Sequence, residues 1–80
     1  MARITDFEPI TRDRARVHEP VQCGFFSFIG PQNKRYLVLE TYGSEHRQME
    51  GKVSQSFQLD EPAAACLIAI LRQEFPNLHP

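Results

Sequence analysis

Eighty residues make one small domain, near the lower limit for a self-sufficient hydrophobic core. An apolar content of 41% excludes wholesale disorder. A formal charge of −1, from nine Lys and Arg against ten Asp and Glu, excludes a global field that would draw the chain onto duplex DNA or an anionic membrane. Signs also balance by region, with four residues of each in 1–20 and four of each in 21–60, so any nucleic-acid binding must come from a local patch.

The first twenty residues, MARITDFEPITRDRARVHEP, read as a flexible N-terminal arm, with a single domain over 21–80. Ile4, Phe7, Ile10 and Val17 are scattered, and Pro9 and Pro20 interrupt. A short helix from Thr11 to Val17, capped by Thr11, is the alternative reading of the arm. The stretch lacks the apolar run of a signal peptide, and no apolar run is long enough to span a membrane, so a soluble cytoplasmic protein is expected. Cys23 and Cys66 are then read as free thiols, each a small buried hydrophobe.

Val21 to Ile29, VQCGFFSFI, is the first strand candidate. Gly30-Pro31-Gln32-Asn33 follows as a turn, because glycine and proline punctuate and asparagine tolerates left-handed geometry. Lys34 to Tyr42, KRYLVLETY, is a second strand rich in branched and aromatic residues. A polar loop over 43–51 leads to the third strand, Lys52 to Leu59, which alternates strictly. Val53, Phe57 and Leu59 join Leu37 and Leu39 on one face of the sheet. Tyr36, Val38, Tyr42, Lys52, Ser54, Ser56 and Gln58 share the other, with Phe26 and Phe28 added from the first strand.

Asp60 offers a side-chain oxygen to the free amides of a first helical turn, and Pro62 fits early in that turn because its missing donor costs little there. Ala63 to Leu71 contains no polar residue, and Pro76 ends the helix. At about 100° per residue, Ala64, Leu67, Ile68, Leu71 and Phe75 form the stripe that covers the sheet. Ala65, Cys66, Ala69 and Ile70 point elsewhere, and a homodimer through this flank is expected, the N-terminal arm being the competing cover. The predicted fold class is α+β: an antiparallel sheet of three strands, or four with one from the arm, packed against one C-terminal helix.

A sheet face that mixes aromatic rings with amide, hydroxyl and ammonium groups suits single-stranded nucleic acid, whose bases stack on rings while cations track the backbone. Lys34, Arg35, Tyr36, Tyr42, Arg47 and Lys52 are the residues assigned to that role. The competing account has these aromatics packing under the arm or against a protein partner. Ser44 and His46 in the loop lack a nucleophile elbow, and neighbours in sequence seldom form a triad, so no catalytic residue is assigned. Arg47 and Lys52 would instead form an anion site next to Gly51. His18, His46, His79, Cys23 and Cys66 show no ligand spacing, and no phosphate or dinucleotide motif occurs, so neither metal nor cofactor is expected.

Thr41-Tyr42-Gly43-Ser44, Arg47, Gly51-Lys52, Ser54-Gln55-Ser56, Gln58 and Asp60 together resemble the shared pattern of a family of small, uncharacterised bacterial and phage proteins, over about 45 of the 80 residues. That resemblance implies no activity. The layout is also similar to the single-stranded-DNA-binding transcriptional coactivator (positive cofactor four) family. There a curved antiparallel sheet precedes a C-terminal helix, a glycine and a basic residue (here Gly51-Lys52) introduce the last strand, and helices mediate dimerisation. This chain departs in strand count and in lacking that family's positive charge. The function expected is a small non-enzymatic binding module for single-stranded nucleic acid, or alternatively a subunit or inhibitor docking on a protein through the same face.

Overall fold

A computed structural model describes residues 1–42 and 53–79. The elements in chain order are β1 (Ala2–Ile4), β2 (Cys23–Ile29), β3 (Arg35–Thr41), β4 (Gln55–Leu59) and α1 (Glu61–Glu74). They make one four-stranded sheet in the order β1-β4-β3-β2, with the helix packed on it through β4.

β2 and β3 form a hairpin in continuous register from Cys23↔Thr41 to Ile29↔Arg35. The connecting turn is tight: Gln32 and Asn33 take φ of 61° and 60°, and the Lys34 amide donates to the Pro31 carbonyl at 3.3 Å. Two successive positive φ values match the hairpin turn whose twist follows that of the strands. Asn33 suits this geometry, whereas Gln32 adopts it without the usual help of a short side chain.

β3 pairs antiparallel with β4, from Leu37↔Leu59 to Thr41↔Gln55. β1 pairs with β4 in parallel, Ala2↔Phe57 to Ile4↔Leu59, so the sheet is mixed and the expectation of a purely antiparallel one is corrected. Fifty residues, 5 to 54, separate the paired segments, ample chain for the crossover a parallel pair demands. The arm is therefore tied into the sheet at its start. From 5 to 22 it forms neither strand nor helix, and all its side chains are exposed except a half-buried Phe7. The helix considered for Thr11 to Val17 does not form, because this charged run has no apolar stripe to bury.

Directly paired residues share a face. One face thus carries Leu37, Leu39, Phe57 and Leu59, and the other Tyr36, Val38, Ser56, Gln58, Phe26 and Phe28, the division the alternation predicts. Among the described residues the deeply buried apolar side chains are Val38 at 1% exposure, Leu59 at 3% and Ala63 at 0%. Leu37 and Leu39 are half-buried, while Phe57 and Val53 remain open.

The helix begins as expected. The Asp60 carboxylate accepts from the Ala63 amide at 3.0 Å, Pro62 lies in the first turn, and Phe75 ends the element. Ala63, Ala64, Leu67 and Leu71 make its inner seam, whereas Ile68 and Phe75 face solvent. The seam is narrower than the predicted stripe because α1 meets the sheet mainly along one strand. Ala65, Cys66, Ala69 and Ile70 are exposed. Both cysteines are free and exposed, correcting their expected burial. Among the described residues no helix is long and apolar enough to cross a membrane.

Candidate nucleic-acid interface

The hairpin register brings three aromatic rings together on the Val38 face. Phe28 lies directly opposite Tyr36, and Phe26 opposite Val38. The Phe28 and Tyr36 rings stack with centroids 5.6 Å apart at 25°, and Phe26 follows 6.4 Å from Phe28, tilted by 35°. These are offset geometries that aromatic pairs favour. Phe26 is half exposed and Phe28 somewhat less, so the row offers ring surface to solvent. Two apolar aromatics in a strand that already has Phe25 and Ile29 on its other side make β2 apolar on both faces.

Gly30 seats this row. A Cβ built there would lie 2.7 Å from Tyr36 Cε2 and 3.1 Å from Cδ2, so the glycine leaves the space that the ring fills. Its φ of −102° shows that this close approach, not left-handed backbone, is what requires glycine. Val38 forms the floor beside the rings. Ser56 and Gln58 lie beyond it on β4, the Gln58 amide donating to Met1 Sδ at 3.3 Å. Ser56 Oγ is buried and has no hydrogen-bond partner among the described residues.

The structure gathers only part of the predicted set. Tyr36 is in the row, and Lys34 is exposed at the end of the hairpin beside it. Arg35 is not. Period-two alternation turns it to the opposite face, where its guanidinium donates to Ser27 Oγ at 3.1 Å. Tyr42 lies six residues beyond Tyr36, about 20 Å along the strand direction. Its hydroxyl rests over Gly24, 3.2 Å from where a Cβ would stand. Arg47 and Lys52, the anion site proposed for them, and the Ser44–His46 pair lie outside the described residues.

Phe26 and Phe28 lie outside the set that the sequence predicts for the site. Their spacing from Tyr36 across the three connecting residues Pro31, Gln32 and Asn33 contains the signal, since the length of that connection fixes which residues oppose one another. Electrostatics at the face are mixed. Arg3 pairs with Asp60 at 3.6 Å, and Glu40 lies on the same side as Val38. Among the described residues, no three His, Cys, Asp or Glu side chains converge as metal ligands. Comparisons with protein-family models, with curated proteins and with solved structures returned no match.

Proposed function

We propose that the protein is a small non-enzymatic binding module whose Phe26–Phe28–Tyr36 row holds bases of a single-stranded nucleic acid. The observation that carries this reading is the row itself: three rings side by side on one sheet face, with open surface over Phe26 and Phe28. Stacking tolerates any base because each has a π-face, which suits a chain with little positive charge to read a backbone. Lys34 at the end of the row supplies a phosphate contact, and Arg47 and Lys52 would add others.

The test is fluorescence anisotropy with labelled oligonucleotides, wild type against Phe26→Ala and Phe28→Ala. Each lost ring removes about 1–3 kcal/mol of stacking, so affinity should fall roughly ten- to hundredfold. Salt dependence separates the cation sets. One neutralised phosphate weakens single-strand binding by about threefold between 50 and 200 mM salt, and three by about twentyfold. Absence of binding at micromolar protein in low salt overturns the reading.

A second reading, docking on a protein partner through the same face, is favoured by the charges: Arg3 is paired with Asp60, Arg35 faces away, and Glu40 adds a negative group. Retention of a partner from host lysate that is lost with Phe28→Ala, without any oligonucleotide binding, would select it.

A further inference from the structure

We propose that β2 is a self-pairing edge, through which two copies of this chain join their sheets about a two-fold axis. β2 is one outer strand of the sheet, and β1 is the other. β1 is three residues long and carries Arg3, the kind of short, charged edge that resists further pairing. β2 is seven residues, CGFFSFI, with no charge, no proline and no interruption of its register. It lacks every guard that β1 has.

Its free hydrogen-bonding groups follow from the ladder. The Gly30 amide donates to the Lys34 carbonyl at 2.7 Å, so Gly30 and Lys34 are a hydrogen-bonded pair. In an antiparallel ladder such pairs alternate, so Phe28, Phe26 and Gly24 also bond inward to β3. The amides and carbonyls of Cys23, Phe25, Ser27 and Ile29 then point outward. A second β2, antiparallel and centred on Phe26, sets Phe25 opposite Ser27 of the other copy and Cys23 opposite Ile29. That register uses all the outward groups and keeps each sheet face continuous across the seam. It also places Phe26 beside its own symmetry mate, joining the two aromatic rows.

The strand itself supports a second copy as the occupant. Phe25 is 76% exposed, Ile29 51% and Phe26 50%, all on this outer strand. Its antiparallel register is self-complementary, so a second β2 meets every outward group of the first. The pairing rests on the outward backbone groups of β2 and needs no ligand on the aromatic row, although Phe26 borders both.

Sedimentation equilibrium across a micromolar range, combined with amide hydrogen exchange, tests the proposal. The expected result is a dimer in which the Phe25 and Ser27 amides gain protection as concentration rises. Ser27→Pro removes an outward donor from each copy and should weaken dimerisation about ten- to hundredfold, while Ala69→Glu on the helix leaves it unchanged. If Ser27→Pro impairs folding, Phe25→Lys, at a side chain already mostly in solvent, takes its place. A wild type that stays monomeric overturns the proposal. So does a dimer that Ala69→Glu disrupts and the β2 variants do not, which would put the interface on the Ala65–Ile70 flank.

Discussion

Gly30→Ala perturbs the aromatic row without removing a ring. At φ −102° and ψ −159° the backbone accepts alanine, and the smaller conformational freedom of its unfolded chain favours the variant by about 0.4–1 kcal/mol. Against this, the new methyl would stand 2.7 Å from Tyr36 Cε2 and force the ring off its seat. Overpacking of this kind costs about 1–3 kcal/mol. The difference predicts a net loss of about 1 kcal/mol, or a fall in Tm of about 4–8 °C for a domain this size. Displacing Tyr36 also spoils its stack on Phe28, so oligonucleotide affinity should drop roughly tenfold or more. Thermal unfolding by circular dichroism and anisotropy titration read the two effects separately. A variant more stable than wild type, with binding intact, would show that Tyr36 does not rest on Gly30 and would refute the reasoning.

Asp60→Ala removes the helix cap and should cost about 1 kcal/mol. The partly exposed pair with Arg3 adds at most a few tenths, so Asp60→Asn should retain most of the stability; equal urea midpoints for Asp60→Ala and wild type would contradict the cap's role. Ser56→Ala relieves a buried hydroxyl that has no partner among the described residues and should raise stability by about 1 kcal/mol; a lowered midpoint in denaturant would mean that Oγ is bonded. Replacing Gln32-Asn33 with Asn-Gly suits the two positive φ values and should stabilise the hairpin by about 1 kcal/mol, read as a higher Tm, whereas a lower Tm would contradict the turn geometry.

Much of the frame was legible because local chemistry and global fold agree. Alternation in KRYLVLETY and KVSQSFQL separates Leu37, Leu39 and Leu59 from Tyr36, Val38 and Gln58, and the register keeps that division. Asp60 and Pro62 mark the helix start for reasons that act within one turn. What escaped depends on distance or on direction. β1 is three residues without periodicity, and its partner strand lies more than fifty residues away, so nothing local announces it. Lys34, Arg35 and Tyr36 look like one basic–aromatic cluster in the sequence, yet strand alternation sends Arg35 to the other face. Gly30 reads as a turn former, whereas the left-handed positions are Gln32 and Asn33 and the glycine makes room for a ring. Cys23 and Cys66 read as buried by residue type, but Cys23 lies on the outer strand β2 and Cys66 on the helix flank turned from the sheet, so both meet solvent.

The most direct test of the nucleic-acid reading uses the protein's own emission. The chain has two tyrosines and no tryptophan, so Tyr42→Phe leaves Tyr36 as the sole reporter. A base stacking on the aromatic row should quench that emission saturably as oligothymidylate is added, in step with the anisotropy of the labelled strand. Binding seen by anisotropy with Tyr36 emission unchanged would place the ligand elsewhere and contradict the account.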